Sequence, residues 1–311
     1  MKILIELPTW LGDAVMTSPA IENIVNHFGE IEITLIGSVS SIESLQNHPK
    51  VFKSIIVEKN FNAFYKFSKE LGRFETFFSF RESYRSTVLK FFILSDKKFQ
   101  FKRSLYRNLH QVEKYNSFVN DSLNINLSPG PLNIYPGIIS NDIDIYPKIG
   151  INPGASYGDS KQWYPEEFAK VAIKLSKKYN ILIFGGVNEI KIANEIENIL
   201  IKNGILNYQN IAGKTSISEL VQYISKLDLF ITGDSGPMHI AASFQIPTIA
   251  LFGPTKDNET SQWLNEKGVI IKKSLECQPC MKRKCPLKHH HCMKLITAED
   301  VIQASKSLNV N

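Results

Sequence analysis

Apolar runs of strand length recur along the chain, separated by stretches whose apolar positions fall three and four residues apart. In the first half Lys2 to Leu7, Ile31 to Gly37, Ser54 to Val57 and Phe74 to Ser79 read as buried strands. In the second half the same reading applies to Lys148 to Asn152, Ile181 to Phe184, Leu229 to Thr232, Thr248 to Phe252 and Val269 to Lys272. Between them, Glu166 to Tyr179 carries Phe168, Val171, Ala172 and Leu175 on one helical face, and Ser218 to Ser225 is patterned similarly. Strands alternating with helices predict an α/β protein built from mostly parallel, doubly wound sheets, with ligands beyond the carboxyl ends of the strands. From Ser128 to Lys148 the breakers Pro129, Gly130, Pro131, Pro136, Gly137 and Pro147 exclude a long helix or a central strand, which marks a linker. The expected division is residues 1–140, residues 148–295, and a terminal helix over 296–311 that packs back on the N-terminal domain.

Length supports two domains, because 311 residues exceed what one hydrophobic core usually holds. With 43% hydrophobic and 21% charged residues the composition is that of a folded chain. The opening stretch to Met16 is interrupted by Glu6, Pro8 and Asp13, so it reads as a strand and loop, not as a signal peptide or membrane span. The net charge of +6 is unevenly placed: Arg81 to Lys114 holds nine Lys or Arg against Glu82, Asp96 and Glu113. That segment is either a solvated face or a surface for an acidic ligand or membrane. The Phe-dense stretch from Phe52 to Phe101 reads as core and interdomain packing rather than sugar stacking. Asp142-Ile143-Asp144 has the form of a metal-binding pair, but in a linker it reads as solvated turn chemistry. All four cysteines, Cys277, Cys280, Cys285 and Cys292, crowd into one segment beside His289, His290 and His291, which favours a reducing compartment. Two readings stand for them: a structural zinc, or thiols that pack a loop and pair only opportunistically.

Candidate chemistry lies where strands run into helices. Leu229 to Thr232 leads into Gly233-Asp234-Ser235-Gly236-Pro237-Met238-His239, a small-residue turn opening a helix near Pro237. Amides at such a helix start, here Ser235, Gly236 and Met238, suit a phosphate, with the helix dipole behind them. The plainer reading is a tight turn with Asp234 and Ser235 as caps. His239 either donates to a phosphate or packs on the helix face. A second loop, Asn152 to Trp163, offers Lys161 to a diphosphate and Ser156 as a hydroxyl donor, unless Lys161 is only a surface cation. Glu189, after Gly185-Gly186, is a carboxylate for a ribose or an exposed helix-start residue. In the first half, Pro19 suits the first turn of a helix capped by Ser18. Asp13 stands just before it, either as a base for an attacking hydroxyl or as a helix cap.

Gly12-Asp13-Ala14-Val15, Asn152-Pro153-Gly154-Ala155, Lys161-Gln162-Trp163 and Gly233 to His239 together resemble the lipopolysaccharide heptosyltransferase family. The likeness spans both halves. Cys277-Gln278-Pro279-Cys280, Arg283, Cys285-Pro286 and Cys292-Met293 resemble the branch that adds the second core heptose. The resemblance implies the GT-B architecture, with two Rossmann-like domains facing a central cleft, acceptor in the first and donor in the second. It implies ADP-L-glycero-D-manno-heptose (ADP-heptose) as donor substrate, a phosphorylated heptosyl-Kdo-lipid A acceptor, inversion at the anomeric carbon, no required cofactor or metal, and no nucleic-acid partner. On this pattern Asp13 is the base and Lys161 stabilises the leaving diphosphate. Gly12, Ser156, Glu189, Thr215, Asp234, Ser235, Gly236, Met238 and His239 surround the donor. Arg81, Arg85, Arg103 and Arg107 would then receive the anionic acceptor, at a cytoplasmic site in peripheral contact with the inner face of the inner membrane. The alternatives are transfer to Kdo itself, another GT-B glycosyltransferase, a sugar-nucleotide epimerase, or a non-catalytic nucleotide-binding module.

Overall fold

A computed structural model describes residues 1–57, 64–137 and 147–308, so the Asp142-Ile143-Asp144 triplet lies outside the described residues. The chain divides into two units, Met1–Tyr135 and Pro136–Asn311. The first unit runs β1 (Lys2–Glu6), α1 (Leu11–Met16), α2 (Ser18–Phe28), β2 (Glu32–Gly37), α3 (Val39–Leu45), β3 (Val51–Ile56), α4 (Phe64–Leu71), β4 (Arg73–Ser79), α5 (Tyr84–Phe92), β5 (Leu94–Gln100) and α6 (Gln111–Leu123). Its five strands are parallel, in the order β3-β2-β1-β4-β5. The second unit runs β6 (Lys148–Asn152), α7 (Pro165–Leu175), β7 (Asn180–Ile183), α8 (Ile190–Lys202), β8 (Tyr208–Asn210), α9 (Ile217–Ser225), β9 (Leu229–Gly233), α10 (Gly236–Ser243), β10 (Thr248–Phe252), α11 (Asp257–Thr260), β11 (Gly268–Lys272), α12 (His291–Lys294) and α13 (Ala298–Ser307). Its sheet, also parallel, has the order β11-β10-β9-β6-β7-β8.

Both sheets are doubly wound, and each reverses its winding at one place: between β1 and β4 in the first unit, between β6 and β9 in the second. Ligands in this architecture bind at such reversals, beyond the strand ends. The last paired residues of those strands face one another there, Glu6 with Ser79 and Asn152 with Thr232.

Period-two burial builds the second core. Ile149 and Ile151, Ile181 and Ile183, Leu229 and Ile231, and Ile249 and Leu251 turn to one sheet face, against Phe168, Val171 and Ala172 of α7 and Ala193, Ile196 and Leu200 of α8. Val301 and Ile302 of α13 join that same cluster. The apolar face of the terminal helix is buried in the core of its own unit, where α13 meets α7 and β10. In the first unit Phe74, Phe77, Phe78, Phe80 and Phe101 are buried, as the core reading of the Phe-rich stretch expects, but Phe52 and Phe91 are exposed. Ser18 is not a cap. Thr17 occupies that position, while the Ser18 hydroxyl donates to Val15 O at 2.8 Å and accepts from Asn133 N at 3.0 Å, tying the start of α2 to the end of the unit.

Candidate functional site

In the second unit the ends of β6 and β9 are joined by side chains. Asn152 Nδ2 donates to Thr232 Oγ1 at 3.1 Å and to Ser235 Oγ at 3.2 Å, and the Thr232 and Ser235 hydroxyls lie 3.0 Å apart. Ser235 stands at the N-cap of α10 but makes no side-chain cap bond, because its hydroxyl faces Asn152 and Thr232. Asp234 is also committed elsewhere: Oδ2 lies 2.5 Å from Lys161 Nζ and accepts from Thr255 Oγ1 at 2.6 Å. Neither of the two side chains able to cap α10 therefore caps its start, at Ser235 and Gly236, an arrangement with affinity for an anion. Met238 does not share in this, in contrast to the expectation for its amide. That amide donates to Ser235 O at 3.1 Å and the side chain is buried against Ala250 and Phe252. His239 is buried within α10.

Lys161 is not a surface cation. Its side chain is 12% exposed, its ammonium is held by both the carboxylate and the main-chain carbonyl of Asp234, and it lies 4.8 Å from the centre of the Tyr157 ring. Asp234 is thus the counter-ion that fixes Lys161. Ser156 is exposed on the same loop. Glu189 closes the short turn before α8, its Oε2 accepting from Gly186 N at 2.5 Å, as the helix-start reading expects. The side chain also runs against Gly154: a Cβ there would come within 2.5 Å of Glu189 Cγ. Glu189 thus borders the loop that carries Lys161. Thr215, half-buried, precedes Ser216, which caps α9.

The cysteine-rich segment straps this region. Tyr157 OH donates to Met281 O at 2.8 Å and Ser160 Oγ to Lys282 O at 2.6 Å, while Met281 N donates to Pro254 O at 2.9 Å and Gln278 Nε2 to Gly253 O at 2.7 Å. One short segment therefore holds the loops that bear Lys161 and Thr255. All four thiols are free; Cys292 is buried, and burial pushes its thiol up to about 11. Among the described residues no group of three or more His, Cys, Asp or Glu is placed to hold a metal ion.

In the first unit, Gly12 and Asp13 lie in the first turn of α1, where the chain leaving β1 turns back; Trp10, not Asp13, is at the cap position. Tyr115 OH approaches Asp13 Oδ1 at 3.5 Å. Burial, and after it the Asp13 charge, push the Tyr115 phenol well above its ordinary range, so it remains a hydrogen-bond donor. Tyr115 is packed by Phe80 and Phe101, at ring distances of 5.5 and 5.0 Å. Gln111 sits one turn before it on α6 and accepts from Arg103 Nη2 at 3.1 Å. Arg103 is thereby brought to the surroundings of Asp13. Arg81 and Arg85 form a separate group around Glu6, a buried carboxylate not singled out from the sequence. Ser79 Oγ donates to its Oε2 at 2.5 Å, Ser86 Oγ to its Oε1 at 2.9 Å, and Arg81 Nη1 lies 3.6 Å away. Arg107 is exposed.

Residues 38–291 match the family model described as "Glycosyltransferase family 9 (heptosyltransferase)". The chain is 40% identical to the lipooligosaccharide heptosyltransferase 2 of Campylobacter jejuni serotype O:2, over 100% of this chain and 99% of that protein. It is 24% identical to the lipopolysaccharide heptosyltransferase 2 of Salmonella typhimurium, over 99% and 98% of the two chains. Among solved structures it is similar to the ADP-heptose lipopolysaccharide heptosyltransferase II of Escherichia coli, with a TM-score of 0.83, 20% identity, and coverage of 99% and 98%.

Proposed function

The chain belongs to glycosyltransferase family 9, the heptosyltransferases, and from that premise we propose how its two units divide the transfer of heptose from ADP-heptose to the lipopolysaccharide or lipooligosaccharide core. It is a heptosyltransferase of the second type with a GT-B fold, similar over its whole length to enzymes of that name. The observation that carries the donor side is the α10 start, where Asp234 and Ser235 are drawn away from the helix while Lys161 is fixed beside it. A diphosphate settles there on the Ser235 and Gly236 amides. As the bond to the anomeric carbon breaks, Lys161 and those amides take up the charge developing on ADP, with about 3 kcal/mol for a strong preorganised donor. Glu189, Thr215 and Ser156 complete the donor surroundings.

On the acceptor side Asp13 removes the proton from the attacking heptose hydroxyl, and Tyr115 holds the carboxylate by its Oδ1. Attack from the face opposite ADP inverts the configuration. Arg81, Arg85, Arg103 and Arg107 receive a heptosyl-Kdo-lipid A bearing phosphate and carboxylate groups. No helix among the described residues is long and apolar enough to cross a membrane, and the basic segment favours peripheral contact with an anionic leaflet.

Replacing Asp13 with Ala, with fold and ADP binding verified, should reduce heptose transfer by at least 100-fold, the scale of general-base assistance. Transfer near the wild-type rate would remove Asp13 from this role. The same mass-spectrometric assay, run with mono-heptosylated and heptose-free acceptors, checks the acceptor: product from the heptose-free one alone would move the chain to the first step of the core.

A further inference from the structure

Glu6 carries a charge that the fold alone does not require. It ends β1 with a side chain 4% exposed, and burial raises its carboxyl above the ordinary range despite its bonds to Ser79 and Ser86 and the nearby Arg81 and Arg85. A neutral amide would satisfy both serine hydroxyls, which can turn to donate or accept. A buried carboxylate is costly unless cations face it. Here two do: Arg81 at 3.6 Å, and Arg85, whose own charge is disfavoured by burial and by Arg81 and supported by Glu6. Arg81 pairs with the carboxylate directly, and Arg85 stands near enough for both charges to act on it.

The surroundings fix this group from three elements. Ser79 ends β4, Ser86 lies in α5 one residue after Arg85, and the main chain of Arg81 is held by Ser79 and by Gln100, whose Nε2 donates to Arg81 O at 3.2 Å. The position in the fold points to a ligand. Glu6 and Ser79 face each other across the winding reversal of the first sheet, as Asn152 and Thr232 do in the second. In the second unit that pair aligns Ser235 at the proposed donor phosphate site. In the first, the equivalent pair aligns arginines.

We infer that Glu6 is a positioning residue that sets Arg81 and Arg85 as one receptor for a phosphate monoester. Planar guanidiniums bind such a dianion through paired, charge-assisted hydrogen bonds, and their mutual repulsion falls when it arrives. This deepens the acceptor assignment made above and rests on it for the source of the phosphate.

The test uses the full-length protein saturated with ADP, which occupies the donor side and reports by its own thermal shift whether that reading holds. Inorganic phosphate is then titrated. Glu6→Gln and Arg85→Gln should each weaken phosphate binding roughly tenfold, the scale of one lost charge-assisted contact. Unchanged phosphate affinity in both variants overturns the inference. In transfer assays Glu6→Gln should raise the acceptor KM while leaving kcat and the donor KM near wild type, and Glu6→Asp should recover part of the loss. The difference from wild type should shrink on acceptor stripped of phosphate by a phosphatase; an equal loss on both acceptors overturns the inference and leaves Glu6 a structural residue. Binding to phosphatidylglycerol vesicles distinguishes a lipid headgroup as the source: vesicle binding that falls in Glu6→Gln while phosphate affinity holds counts against the phosphate receptor.

Discussion

Lys161 and Asp234 face each other 2.5 Å apart with side chains 12% and 6% exposed, so each is the other's main compensation for leaving water. Removing one charge of a buried pair is costlier than the pair's net contribution, because the remaining ion stays desolvated. Asp234→Asn should therefore destabilise the protein by about 3 kcal/mol, read as a lower urea midpoint with an unchanged slope. It should also weaken ADP binding, since Lys161 loses the group that aims it. Stability within 0.5 kcal/mol of wild type would show that water already screens the pair. Lys161 and Ser235 were legible in the sequence because strand, small-residue loop and helix succeed each other along the chain. The actual duty of Asp234 was not, nor was Glu6. Each is defined by a partner 73 positions away, Lys161 for one and Ser79 for the other, and local pattern carries no trace of such pairing.

Elements with a clean period were legible for the same local reason, and those that break it were not. The central strands β1, β2, β9 and β10 are nearly continuous apolar runs because helices cover both faces. The edge strand β5, Leu-Ser-Asp-Lys-Lys-Phe-Gln, is half exposed and charged, which protects an edge but hides the strand from a hydrophobicity reading. The cysteine segment was legible as a cluster but not as a strap, since its role rests on main-chain carbonyls. Gly158 leaves no room for a side chain under that strap: its φ is +152°, and a Cβ would stand 2.5 Å from Arg283 O. Gly158→Ala should therefore loosen the segment from 277 to 290, raising its proteolytic cleavage in the folded protein and weakening ADP binding through Lys161. Cleavage no faster than wild type, with ADP affinity intact, would mean that Gly158 does not govern the strap.

At the scale of the whole molecule, one winding order occurs twice and the two reversals are furnished differently. The second unit places neutral amides and hydroxyls around a helix start, with a single cation fixed by its own counter-ion. The first places Asp13 and Tyr115 after β1, and Glu6 with two arginines at the strand ends. The second unit's arrangement suits a leaving diphosphate, whose charge grows during reaction; the first unit's suits a hydroxyl that must lose a proton on a molecule already anionic. Two ligands recognised by separate units should protect separate amides. In hydrogen exchange, ADP should slow residues 152–163 and 233–238, and the heptosylated acceptor should slow residues 9–16 and 79–86, each ligand acting on its own unit when added alone. The opposite pattern would reverse the assignment of donor and acceptor to the two units. Slowing of both sets by ADP alone would mean that the nucleotide orders the acceptor unit before any acceptor arrives, so that acceptor affinity must rise when ADP is bound, by the reciprocity of linked binding.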